Sequence, residues 1–197
     1  MCRLLETIRV SDGLLQNITL HNERLNRSRR DIFKTGDDID LTDYISVPQN
    51  LMRGIIKCRV LYSKEITGIE FEPYIPHQVR TLKLVEANHL FYNYKYTDRR
   101  ALSSLIDRRS ADDVLIIKNG NVTDISFANI VFTDGKEWIT PDTPLLRGTM
   151  REWLLSKKII YERRITARDI AYFSHFRLIN AMLGFDGPIL PVDNILE

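Results

Sequence analysis

Lys95 stands among aromatic rings in Phe91-Tyr92-Asn93-Tyr94-Lys95-Tyr96. An amine held in such surroundings loses solvation, which disfavours its charged form and lowers its pKa. That is the state a lysine needs to attack a carbonyl and form a Schiff base. The same segment also suits a lysine whose stem lies on the rings while its head reaches water. A second candidate is the run Val122-Thr-Asp-Ile-Ser-Phe-Ala-Asn-Ile-Val-Phe132. It places a carboxylate (Asp124), a hydroxyl (Ser126) and an amide (Asn129) in what otherwise reads as one buried strand. Left unpaired, each would cost about 1–3 kcal/mol. These groups therefore either satisfy one another, as a structural network, or face a ligand. A carboxylate here could keep a cofactor's ring nitrogen protonated.

The third candidate is Leu145-Leu-Arg-Gly-Thr-Met-Arg151. Gly148 lets the backbone approach closely, and the amides of Thr149 and Met150 would lie at the positive end of a helix dipole. That is an anion site suited to a phosphate, or else a plain helix start after a loop. Asn180, in Ile179-Asn-Ala-Met182, and Arg59, on the polar face of its strand, could add phosphate contacts.

The elements that must position these groups are legible as an α+β pattern. Residues 4–10 read as a strand, 11–13 as its turn, and 15–33 as an amphipathic helix closed by Gly36. A short helix at 41–45 leads to strands at 54–63, 67–74 and 79–86, the last two separated by prolines. In the first of these, Ile56, Cys58, Val60 and Tyr62 share one face. This half predicts an antiparallel sheet. A change of composition at 88–98 places the domain junction, giving a small domain over 1–90 and a larger one over 91–197. The latter reads as a helix at 98–109, then strands at 113–118 and 122–132 joined through the hairpin signal Asn119-Gly120. A strand at 138–140, a helix at 148–157 and a strand at 159–164 follow. A helix at 166–173 capped by Thr166 and strands at 176–182 and 189–192 complete the chain.

Composition narrows the partners. The chain has 197 residues, 44% hydrophobic and 27% charged, with a net charge of +2. Its basic pairs are scattered, which argues against nucleic acid. No apolar run approaches the ~18 residues of a membrane span. The first residues lack the apolar core of a signal peptide. Cys2 and Cys58 make no disulfide framework, and the four histidines have no metal-ligand spacing. A cytoplasmic protein without a metal is the expectation.

The order of these motifs resembles the fold-type IV pyridoxal-phosphate enzymes, the class IV aminotransferase family. Glu6-Thr-Ile-Arg-Val10 looks like the family's Glu-Thr strand, and His21-Asn-Glu-Arg24-Leu25 like its His-x-x-Arg-Leu helix. Lys57-Cys-Arg59, Lys95, residues 122–132, residues 146–151, and Asn180-Ala181-Met182 with Pro191-Val192 follow in the family's order. The resemblance implies a two-domain architecture like that of D-amino-acid aminotransferase, with pyridoxal 5'-phosphate as cofactor. It implies Lys95 as the Schiff-base lysine and general base. Asp124 would partner the pyridine nitrogen, supported by Ser126 and Asn129. Arg59, Gly148, Thr149, Met150 and Asn180 would hold the phosphate, and Thr7, Arg99 and Ala181 would lie near the substrate. Asp124 stands where the family carries Glu, one methylene longer. The chain begins at the Glu-Thr strand, so the family's preceding strand and loop are expected to be lacking, or their part of the substrate wall rebuilt by another subunit. A homodimer and a small amino substrate are implied. The Gly-x-Met-Arg and Asn-Ala-Met variants resemble the family's 4-amino-4-deoxychorismate lyase, which yields 4-aminobenzoate and pyruvate. An aminotransferase for branched-chain or D-amino acids, or a non-catalytic member, are the other readings.

Overall fold

The computed structural model describes residues 3–197, so Cys2 lies outside the described residues. Two compact units form: Met1–Pro76 with Tyr94–Asp98, and His77–Asn93 with Arg99–Glu197.

The first unit holds β1 (Leu4–Ser11), β2 (Leu14–Leu15), β3 (Ile55–Tyr62) and β4 (Ile66–Pro73) in one antiparallel sheet, in the order β2-β1-β3-β4. Alternation decides its faces. Leu4, Ile8 and Val10 of β1 and Ile56, Cys58, Val60 and Tyr62 of β3 are buried on one side. They share a core with Leu25 of α1 (Ile18–Ser28). The helix is shorter than the 15–33 pattern predicted. β2 takes its first residue, and from Arg29 to Phe33 it widens into a π-helical turn. There the buried Arg29 donates to the Lys64 and Asp37 carbonyls. Lys34, at φ 58°, ends the helix in place of Gly36. Tyr94–Asp98 joins this unit because it pairs with β1. Leu5 N–H donates to the Lys95 carbonyl at 2.9 Å, and Thr97 N–H to the Arg3 carbonyl at 3.0 Å.

The second unit has two sheets. One contains β5 (Leu82–Glu86), β6 (Asp113–Lys118), β7 (Asn121–Ile125) and, from the far end of the chain, β13 (Ile195–Leu196), in the order β13-β5-β6-β7. Residues 77–90 belong here, and not with the small domain expected over 1–90, because β5 runs parallel to β6 with Leu82 opposite Asp113. The other sheet is β10-β9-β8-β11-β12, built from β8 (Asn129–Thr133), β9 (Trp138–Pro141), β10 (Tyr161–Arg163), β11 (His175–Ile179) and β12 (Leu190–Pro191). Residues of both sheets, among them Leu115, Ile125, Ile130 and Phe176, form one core. A smaller core packs Met150 and Leu154 of α3 (Thr149–Ser156) against Val131 and Ile179. Of the helix expected at 98–109, only α2 (Arg100–Ser103) forms.

The Asn119-Gly120 hairpin is present, with φ of 50° and 74° at its two central residues, the twist that a two-residue turn between strands requires. The run at 122–132 is not one strand. It breaks at 126–128, where Ile125 N–H donates to the Ala128 carbonyl and the chain passes from one sheet to the other. That break is held by side chains, with no Gly or Pro to announce it.

Candidate active site

Seven of the residues singled out above meet around this break and the start of α3. Asp124 is buried. Its Oδ1 accepts from Asn129 Nδ2 at 2.8 Å and its Oδ2 from Leu146 N–H at 2.9 Å. Burial pushes its pKa up to about 6, although the Leu146 amide, Asn129 and the Arg151 charge all pull it down. Asn129 Nδ2 also donates to the Leu146 carbonyl at 2.9 Å. A Cβ on Gly148 would fall 2.0 Å from Asn129 Oδ1, so this close approach is what requires glycine. Gly148 is the N-cap of α3 and offers no side chain to the first turn. Thr149 and Met150 are buried there, and the Met150 side chain packs into the core.

Ser126 does not support Asp124. Its hydroxyl donates to Asp113 Oδ2 at 2.8 Å, and its carbonyl accepts from Arg99 Nη2 at 2.6 Å. The buried Asp113 also accepts from Val114 N–H, so it ties the break to β6. Asn180 lies beside the same break. Its Nδ2 donates to the Phe127 carbonyl at 3.4 Å, and its Oδ1 accepts from the Met182 and Leu183 amides, fixing the turn that carries Ala181.

In the first unit, Thr7 and Arg59 are direct cross-strand partners on the face opposite the core. Arg59 Nη1 donates to Glu70 Oε2 at 2.8 Å. Lys95 is partly buried between Tyr94 and Tyr96, whose rings meet edge to face at 6.1 Å. Its charge is among those felt by His21. Burial, first, holds the His21 pKa below its usual value; hydrogen bonding to Glu6 opposes this, and Arg24 and Lys95 add to it.

That histidine belongs to a cluster to which the sequence motifs gave no role. Glu6 is fully buried. It accepts from Arg24 Nε at 2.9 Å and Nη2 at 2.5 Å, and its Oε2 lies 2.6 Å from His21 Nδ1. Burial alone would raise its pKa; Arg24 and His21 outweigh that and hold it at about 2. The signal was present: Glu6 occupies an inward position of β1, between Leu4 and Ile8. His21 and Arg24 are one turn apart on α1, on the side that carries Leu25. Among the described residues no group of His, Cys, Asp and Glu could hold a metal, and no helix is long and apolar enough to cross a membrane.

The chain belongs to the class IV aminotransferase family: residues 72–195 match the profile described as Amino-transferase class IV. An uncharacterized protein of Haemophilus influenzae is 42% identical over 187 residues, 93% of this chain and all of that one. A crystal structure from Haemophilus somnus 129PT, described as a "putative 4-amino-4-deoxychorismate lyase", is 35% identical with a TM-score of 0.87, over 93% of this chain and 98% of that one. The PLP-bound form of a hypothetical aminotransferase from Mycobacterium tuberculosis has the same fold, with a TM-score of 0.74 at 18% identity over 96% of this chain and 83% of that one. The protein is therefore an enzyme of the fold-type IV, α+β family, and pyridoxal 5'-phosphate is its cofactor.

The donor set fits that group. A phosphate needs N–H donors and positive potential, and the start of α3 supplies both at Gly148, whose Cβ position is taken by Asn129 Oδ1. An aldehyde needs an amine, and Lys95 lies in the aromatic segment with its backbone fixed to β1.

Proposed function

We propose that the enzyme is a 4-amino-4-deoxychorismate lyase, releasing 4-aminobenzoate and pyruvate. The observation that carries this reading is the 35% identity, over nearly the whole of both chains, to the Haemophilus somnus structure so described. The Asn180-Ala181-Met182 turn, which resembles the lyase version of the motif, supports it.

In this reading Lys95 carries the cofactor and then acts as general base. Its amine removes the proton from the substrate carbon that bears the amino group. The C–O bond to the neighbouring enolpyruvyl group breaks, the ring becomes aromatic, and the enol takes up a proton to become pyruvate. Pyridoxal phosphate, when bound, supplies a ring that withdraws the electron pair left at the amine-bearing carbon. Gly148, Thr149 and Met150 would hold its phosphate at the start of α3, with Asn180 as a further ligand. Arg59 would be a further phosphate ligand, and Thr7, Arg99 and Ala181 are assigned to the substrate. The reading includes a cytoplasmic homodimer acting on a small amino substrate, and sedimentation of the purified enzyme checks the dimer.

Aminotransfer is the second reading, favoured by the family profile itself. Product analysis separates the two. Incubation with 4-amino-4-deoxychorismate yields 4-aminobenzoate and pyruvate in equal amounts if the lyase reading holds. Conversion of an amino acid to its oxo acid, with no 4-aminobenzoate formed, makes it an aminotransferase.

A further inference from the structure

The turn that carries Ala181 is held differently at its two ends. At its start Asn180 Oδ1 accepts from the Met182 and Leu183 amides, and the Asn180 carbonyl accepts from Gly184 N–H at 3.0 Å. At its end stands Phe185, where the anchor is a side chain of β11, the strand that leads into the turn. Arg177 lays its guanidinium over two rings, 4.6 Å from the centre of Phe185 and 5.1 Å from that of Trp138 in β9. The rings meet edge to face at 5.6 Å. Arg177 Nη1 also donates to the Phe185 carbonyl, so ring and backbone of one residue are gripped together.

This is a costly place for a cation. Arg177 Nε is buried, with no hydrogen-bond partner among the described residues. Burial works against the charge, and Asp186 opposes that. A plain cap on a core would be an apolar side chain, which has no polar atom to strand. Arginine suits the place because its flat, weakly hydrated group stacks on rings while its N–H fork reaches a carbonyl. Register shows what the clasp rests on. Arg177 pairs with Val131, so it shares a sheet face with Val131 and Ile179, the face that carries α3. Trp138 and Phe185 pack against that same small core. The end of the turn is thus tied to the sheet through Arg177. Its start meets the 126–128 break through the long contact from Asn180 Nδ2 to the Phe127 carbonyl, 3.4 Å.

We propose that Arg177 is a positioning residue: with Trp138 and Phe185 it clasps the end of the 180–184 turn and so sets Asn180 and Ala181 for the ligand. This rests on the reading of Asn180 as a phosphate ligand. The test is the ratio of the dissociation constants for pyridoxal and pyridoxal phosphate, measured with the full chain freed of cofactor. Arg177→Lys keeps the charge and loses the flat group that spans both rings. Phe185→Leu removes the ring and keeps the carbonyl, and Phe185→Tyr keeps both. Circular dichroism confirms that each variant is folded, and Phe185→Leu serves if Arg177→Lys is not. The preference for pyridoxal phosphate should fall about fivefold in Arg177→Lys and Phe185→Leu, the scale of one net hydrogen bond. It should be retained in Phe185→Tyr. In an Asn180→Ala background Arg177→Lys should have no further effect, because both act through one turn. An unchanged preference in folded Arg177→Lys or Phe185→Leu, or an Arg177→Lys effect that persists in full beside Asn180→Ala, overturns the proposal and leaves the phosphate ligand standing. If Asn180→Ala itself keeps the whole preference, the reading of Asn180 as a phosphate ligand falls, and this inference with it.

Discussion

Replacing Glu6 by Gln keeps the shape of the side chain and removes its charge. In the folded protein that charge is enclosed, with Arg24 as a two-pronged donor and His21 at 2.6 Å. Its pKa falls from the usual 4.5 to about 2. At 1.36 kcal/mol per unit this is worth about 3 kcal/mol. Breaking a buried ion pair from one side costs a similar 3–5 kcal/mol, because the Arg24 charge loses its carboxylate. Because the folded pKa is depressed, the contribution is complete above about pH 4.5 and is lost as pH falls towards 2. Urea unfolding followed by circular dichroism should show Glu6→Gln less stable by roughly 3 kcal/mol near neutrality. The gap should close on acidification below about pH 4.5. A gap under about 1 kcal/mol at neutral pH, or one that persists unchanged in acid, would refute the reasoning.

Other outcomes follow from the same geometry. Carbon-13 labelling of the aspartate carboxyls should reveal one group titrating near 6 that disappears in Asp124→Asn. Gly148→Ala must push Asn129 away, since its Cβ would lie 2.0 Å from Oδ1; it should lose cofactor affinity while remaining folded, as read by fluorescence titration and thermal melting. His21 is buried with a depressed pKa, so its unfolded form takes up a proton first as pH drops below 6.5. Stability should fall there in the unaltered protein, and by less in His21→Asn. Burial pushes the Cys58 thiol up to about 12, so a thiol reagent at neutral pH should label it only on unfolding.

What could be read from the sequence was what local chemistry dictates. The alternation of β3, the Asn119-Gly120 turn and the helix beginning at Gly148 each carry their own signal, and each is present. The break at 126–128 carries none. It depends on Asp113 reaching Ser126 from 13 residues away, a contact that no local pattern encodes. The placement of residues 77–90 likewise depends on pairing with β6, across a long stretch of chain. Lys95 stands out in the sequence for its aromatic neighbours, which suit a packed lysine as well as a reactive one, and its attachment to β1 through Leu5 is a property of the fold. Asn129 beside Asp124 could be anticipated as a private network; that the network closes on Gly148 could not. The Glu6 cluster was legible in principle, as a carboxylate in an inward register with a histidine and an arginine on one helix face. The motifs that contain it drew attention to order along the chain and away from burial.

The central claim is that Lys95 carries the cofactor. Borohydride reduction of the enzyme with pyridoxal phosphate, followed by peptide mass mapping, tests it directly. The account predicts one stable adduct, on the peptide containing Lys95, together with loss of the near-visible band in Lys95→Ala. An adduct on another lysine, or a band that survives in Lys95→Ala, would contradict it.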